Sequence, residues 1–203
     1  MNLRESIKKV LLENNSMRHT IREMVRDIII VFKENDNGEF TLPEYFEDRD
    51  EMVYNIKKFG SNLTIDLSIE ENESVDDFVV NANYVNEEET IEINISYNPT
   101  NKNGILYDLI GELNELIAHE LRHFYQEIKK TYDIGGEKTS DPFTYYSEPH
   151  EIDAQYYGFK RLSKLTKKPF ESVVRNWFRT HKDLHRLSDQ ESEKIINKIL
   201  KHK

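Results

Sequence analysis

The sequence predicts an α+β fold: a small, mostly antiparallel sheet packed on a long helix, followed by a helical C-terminal half. Three observations carry this. The hydrophobic period is helical up to about residue 60, alternates by two over residues 63–97, and turns helical again from Ile105. The alternating runs are joined by short acidic connections, "EENES" and "NEEE", which favour an antiparallel meander with one wet face. Beyond residue 105 the helical period persists to the end of the sequence, broken only by turn-rich segments.

The elements follow in order. Residues 3–14 and about 17–34 read as two helices, and in the second Ile21, Val25, Ile28 and Phe32 recur at helical spacing. "ENDNGEF" breaks that pattern, and "TLPEYFEDRDEMVYNIKKFG" predicts a turn and then a helix ending near Gly60. "LTIDLSI", "FVVNANYV" and "TIEINISY" are half-buried strands, with Ile65, Leu67 and Ile69, Val80, Ala82 and Tyr84, and Ile91, Ile93, Ile95 and Tyr97 on their apolar faces. "NPTNKNG" ends the sheet. A long helix then runs from Ile105 to about Lys130, a loop covers residues 131–147 with its Gly135-Gly136 pair, and helices follow near 148–166, 169–181 and 188–201. The organisation is an N-terminal helical segment (1–60) packed on a core (61–166), then basic helices (167–203).

Composition excludes several classes. No stretch approaches 18 consecutive apolar residues, the longest run being "IIIVF" at 28–32, so no membrane span is expected. The opening "MNLRESIKKVLLEN" has charges inside its apolar pattern and reads as an amphipathic helix, not a secretory signal, which predicts a cytoplasmic protein. The glycosylation patterns at Asn62, Asn72 and Asn94 are then idle. There is no cysteine, so any zinc must be held by His, Asp or Glu. Residues 160–203 carry 13 Lys and Arg against 5 Asp and Glu, a net of +8. Residues 1–159 carry 15 against 33, a net of −18. So acidic a body argues against nucleic acid as a partner, and the basic tail reads as a solvated face or a contact with the acidic part of the same chain.

"LIAHELRHFYQ" on the long helix carries the chemistry. His119 and His123 stand at i and i+4, about 40° apart, so both imidazoles reach one ion from one face. Glu120 lies about 100° from His119 and stands beside that face, placed to hold a water next to the metal instead of the metal itself. This is the H-E-x-x-H arrangement of two imidazole ligands and a carboxylate general base. The stripe Ile110, Leu113, Ile117, Leu121, Phe124 and Ile128 centres roughly opposite the histidines, so one side can bury while the other faces a cleft. With 7 His in 203 residues the five-residue pattern arises by chance in roughly a few chains per hundred, so a third ligand must support it.

"YYSEPHEIDAQYYGF" supplies the candidates: Glu148, His150, Glu151 and Asp153 at the start of a helix. Glu151 shares a face with Ala154 and Gly158, whose small side chains allow another helix to approach, while Ile152, Tyr156 and Phe159 form a packing stripe. Glu148 precedes Pro149 and belongs at the N-cap, where its carboxylate can accept backbone N–H bonds. Asp153 lies about 200° from Glu151 and suits the orientation of a ligand histidine from behind. The blander reading of the segment is an acidic helix start favoured by the helix dipole. A second pair, His181 and His185, lacks the glutamate and an acidic partner helix and reads as a solvated helix face.

"HELRH", followed 28 residues after His123 by "EIDA", resembles the gluzincin branch of the zincin metallopeptidases, over about residues 62–165. The resemblance implies a zincin-like fold, Zn²⁺ held by His119, His123 and Glu151, Glu120 as general base, and a protein or peptide substrate laid along the edge strand of the sheet. The strand nearest in sequence is "TIEINISY". "HFYQ" does not continue into the metzincin pattern. The opening residues resemble the N-termini of some marine tailed-phage proteins, which would make this a small viral zincin of host cytoplasm or virion. Tyr145, Tyr146, Tyr156 and His150 are candidates to stabilise an oxyanion or contact substrate. The rival expectations are a binding or virion component without turnover and a regulator that cleaves a single partner.

Overall fold

The computed structural model describes residues 3–34, 52–56, 61–132 and 141–202. It is α+β with a small mixed sheet. The chain divides into two compact units, residues 1–113 and 114–203.

In the first unit, one helix, α1 (Leu3–Glu34), stands where the sequence predicts two. Asn15 and Ser16 separate the two predicted helices, but each costs a helix under about 1 kcal/mol, and without Gly or Pro the turn continues. Ile21, Val25, Ile28 and Phe32 are buried, as their spacing requires. Residues 52–56 correct the reading further. They form strand β1 (Met52–Ile56), not the end of a helix, and Met52, Tyr54 and Ile56 alternate inward. The Tyr54 hydroxyl donates to Asp27 Oδ2 of α1 at 3.0 Å. The rest of the helix predicted to end near Gly60 lies outside the described residues, as does "ENDNGEF" beyond Glu34.

Strands β2 (Ser61–Glu71), β3 (Phe78–Val85) and β4 (Thr90–Tyr97) fall where the alternation places them. One face is wet: Leu63, Ile65, Leu67 and Ile69 of β2 are buried while Asp66, Ser68 and Glu70 are exposed. The connectivity is not the predicted meander. The strand order is β1-β2-β4-β3, and β2 runs parallel to β4, Ile65 opposite Ile91 and Ile69 opposite Ile95. β3 leaves to the far edge, and β4 returns antiparallel to it into the space between β2 and β3. Strands are spaced about 4.8 Å apart, so the connection 72–77 needs to span only about 10 Å, well within the reach of six residues. It arches over the end of β4, where Asn72 N–H donates to Tyr97 O at 2.8 Å and Asn98 N–H to Asp77 O at 2.8 Å. "TIEINISY" is therefore an interior strand with both backbone edges taken by β2 and β3, and it cannot receive an added peptide strand. Phe32 of α1 meets Tyr97 of β4 edge to face, ring centroids 4.9 Å apart.

Helix α2 (Leu106–Lys129) runs across the boundary between the units. Within the second unit, Ile117, Leu121 and Phe124 of α2 are buried. The expected loop 131–147 contains a helix, α3 (Pro142–Ser147), which Asp141 caps by accepting from Thr144 N–H at 2.8 Å while Pro142 occupies the first turn. The Gly135-Gly136 pair lies outside the described residues. Helices α4 (Pro149–Thr166), α5 (Phe170–Thr180) and α7 (Asp189–Lys201) match the predicted bounds, and a short α6 (Lys182–His185) was not foreseen. Ile152, Phe159, Val173, Val174, Phe178, Ile195, Ile196 and Ile199 make one core, with Tyr156 packed against it.

His185 corrects the solvated-face reading. It is 1% exposed, its Nε2–H donates to Phe178 O at 2.9 Å and its Nδ1 accepts from Leu187 N–H at 3.0 Å. It is a core histidine that satisfies two backbone groups, one in α5 and one just after α6. His181 sits at the end of α5, stacked on Trp177. Within the basic tail, Arg175 pairs with Glu171 and Glu193, and Lys182 with Asp189. Among the described residues, no helix is long and apolar enough to cross a membrane.

Gly158 sets the approach of α4 to α2. A Cβ there would lie 2.7 Å from Glu115 Oε1 and 3.0 Å from the Glu115 carbonyl oxygen. The carboxylate could swing away, but the helix backbone cannot. Gly158→Val is expected to lower stability by about 1–3 kcal/mol through overpacking, with Ala costing less because it gains about 1 kcal/mol of helix propensity. Urea unfolding checks this; a wild-type midpoint for Gly158→Val would show that the two helices are not in contact there.

Candidate metal centre

The close packing of α4 on α2 brings the three predicted ligands together. His119, His123 and Glu151 each offer one ligand atom within 4.8 Å of the others. His119 Nε2 and His123 Nε2 are 3.0 Å apart. Glu151 Oε2 is 3.5 Å from His119 Nε2, and Oε1 is 3.3 Å from His123 Nε2. Zinc bonds of about 2.0–2.1 Å in tetrahedral array put ligand atoms about 3.3 Å from one another. The donor set therefore fits a small divalent cation without large movement. Glu151 is 3% exposed, and the imidazole nearest its buried Oε2, His119 Nε2 at 3.5 Å, is too far for a well-formed hydrogen bond. A buried carboxylate oxygen in that condition is costly, and a cation would relieve it.

The electrostatics agree. Burial alone would raise the Glu151 pKa, but hydrogen bonds from His119 and His123, and then their charge, hold it well below the ordinary carboxylate value. Burial would lower that of His123, but the Glu151 hydrogen bond and charge, with Glu120 and Gln126 behind them, raise it above its usual 6.5. Each group favours the charged form of the other, as expected where the protein supplies the anionic half of a site and protons stand in for a cation.

Glu120 is buried beside the group, with Oε1 4.0 Å from His119 Nε2, adjacent to the ligands without being one of the three. His150 comes close: its Nε2 is 3.6 Å from Glu151 Oε1 and its Nδ1 3.3 Å from Glu148 Oε2. Glu148 is the N-cap of α4, as predicted, but its side chain makes no capping hydrogen bond and turns to His150 instead. Tyr145 is 40% exposed. Burial, then the charge of Glu151 and a hydrogen bond to it, hold its pKa far above the ordinary phenol value. Tyr146 is pushed up to about 12 by burial and by the charges of Glu151 and Glu115. Tyr156 points elsewhere: its ring lies 5.4 Å from Phe170 and 5.1 Å from His202, against the helical core. Of the four oxyanion or substrate candidates, Tyr145 and His150 border the ligands, Tyr146 is within electrostatic reach and Tyr156 is a packing residue.

Three residues at the site were not singled out from the sequence. Gln126 Oε1 lies 3.0 Å from His123 Nδ1, and Gln126 Nε2 donates to Asp153 Oδ2 at 2.9 Å. Asp153 also accepts from Arg122 Nε at 2.7 Å and meets His202 Nε2 at 2.9 Å. Asp153 thus stands behind a ligand histidine, as its helical angle suggested, but acts through Gln126. The readable signal was a glutamine one turn after the second histidine; nothing in the sequence pointed to His202.

Comparison with known protein families, curated proteins and solved structures finds no match.

Two expectations follow. Glu151→Ala should weaken zinc binding far more than Glu148→Ala in calorimetric titration; the reverse order would place the third ligand a turn earlier. The second concerns chelated protein. The raised pKa of His123 contributes stability fully present below about 6.5 and lost as pH rises through its folded value. The lowered pKa of Glu151 contributes stability present above about 4.3 and lost as pH falls through its folded value. In chelator, the pair's contribution should therefore be largest between these limits and decline on the alkaline side, whereas zinc-loaded protein should not lose it there. Melting curves across pH with and without zinc read the difference.

Proposed function

We propose that the protein is a zinc-dependent metallopeptidase. The observation that carries this reading is the convergence of His119, His123 and buried Glu151, with a second carboxylate, Glu120, beside them. The donor set, two nitrogens and one oxygen without thiolate, suits a catalytic more than a structural zinc site, because it leaves a coordination position for reactants. The resemblance of "HELRH" and "EIDA" to gluzincins supplies the substrate class, a peptide bond.

Zinc supplies Lewis acidity, which lowers the pKa of water toward about 7 and polarises a carbonyl. The chain does the rest. The three ligands hold the ion. Glu120 takes the proton of the attacking water on its carboxylate and returns it to the departing amine. The Tyr145 hydroxyl, kept protonated by Glu151 and burial, can donate to the developing oxyanion, as can His150. Exclusion of bulk water around Glu120 and Glu151 strengthens each of these interactions.

Glu120→Gln should abolish hydrolysis of an unfolded protein substrate while leaving zinc content intact, since it removes the base and no ligand. His123→Ala should lose both, and a chelator should inactivate the wild type without loss of far-UV helical signal, because the helical core is built from apolar contacts. Near-normal turnover by Glu120→Gln would overturn the mechanism. Bound zinc with no cleavage of any protein would leave a metal-binding protein and not an enzyme.

A further inference from the structure

We propose that Gln126 is the positioning residue of the metal centre: it selects the tautomer of His123 that can bind a cation, and Asp153 fixes Gln126 in turn. The inference rests on the metal-site reading above and deepens it.

An imidazole nitrogen binds a cation only through a lone pair, so a ligand histidine must carry its proton on the other nitrogen. A glutamine side chain has an accepting end and a donating end. Here the two are distinguished by their neighbours. The Gln126 Nε2 end faces two acceptors, the His150 carbonyl oxygen at 2.9 Å and Asp153 Oδ2 at 2.9 Å. Reversing the amide would set its oxygen against both and forfeit two hydrogen bonds. The Oε1 end must therefore face His123 Nδ1, 3.0 Å away, and that nitrogen must donate. In neutral His123 this leaves the lone pair on Nε2, 3.0 Å from His119 Nε2 and 3.3 Å from Glu151 Oε1, where a cation would replace the proton that the imidazolium shares with Glu151.

Asp153 is suited to hold this arrangement. It is 2% exposed, and Arg122 Nε at 2.7 Å and His202 Nε2 at 2.9 Å approach its two oxygens. The guanidinium of Arg122 is itself clamped between the rings of Tyr125 and Tyr157, at 4.6 and 4.1 Å. A carboxylate so engaged accepts and does not donate, so Gln126 has one orientation. The same amide also holds the carbonyl of the residue preceding Glu151, and so ties two of the three ligands to one side chain.

Nitrogen-15 shifts of labelled histidine in chelated wild-type protein at alkaline pH give the direct test. His123 should carry its proton on Nδ1 with Nε2 bare. Gln126→Leu should mix the tautomers and weaken zinc binding about 10- to 100-fold. A proton on Nε2 in the wild type overturns the proposal whether or not any variant folds. So does wild-type zinc affinity in folded Gln126→Leu. The tautomer is read without metal, so absence of zinc binding would sink the metallopeptidase reading and leave the Gln126 result to stand or fall by itself.

Discussion

The close approach of α4 to α2 at Gly158 is the constraint on which the candidate metal centre depends. Glu151 and Gly158 lie seven residues apart on one face of α4, and the spacing at Gly158 leaves no room for a Cβ against Glu115. That contact sets how near the Glu151 carboxylate comes to the imidazoles of α2. Ala154, buried between them, adds no bulk. On its other side α4 is held by Ile152 and Phe159, which join the core of α5 and α7. One helix thus reads out two demands on two faces: small residues where backbones must meet, large ones where a core must be filled.

Much of the site was legible because helical geometry is local. Spacing of four places His119 and His123 together whatever the rest of the chain does, and the angle between Glu151 and Asp153 separates their tasks. The sheet was less legible because strand order is not local. Alternation located β2, β3 and β4 correctly, yet it says nothing of neighbours, and a six-residue connection is compatible both with pairing and with stepping over one strand. Strand β1 was missed because "MVYNI" sits among charged residues that suit a helix start; only pairing with β2, Tyr54 opposite Leu63, decides it. His185 was misread for a related reason. Its i, i+4 relation to His181 suggested one exposed helix face, but α5 ends at Thr180, and the short α6 that His181 caps turns its last residue, His185, inward to satisfy backbone groups. His202 could not have been found, since 49 residues separate it from Asp153.

The candidate site gathers buried acidic groups and orders them with two kinds of positive charge. Glu115, Glu120, Glu151 and Asp153 are all buried in one pair of helices, an unfavourable gathering of carboxylates unless positive charge is near. Two kinds of compensation are present, and they are kept apart. Asp153 is answered by Arg122, a permanent charge fixed between two tyrosine rings. Glu151 is answered by histidines, whose charge is conditional on a proton.

That division has a physical consequence. An arginine beside Glu151 would satisfy the carboxylate permanently and close the site, whereas an imidazolium can release its proton and offer a lone pair in the same position. Placing the permanent cation one layer back, with neutral Gln126 between, stabilises the framework without competing for the Glu151 oxygens. The centre is therefore acidic at its middle and neutralised at its periphery. A divalent cation between His119, His123 and Glu151 would meet the carboxylate from the side that Arg122 and Gln126 leave open.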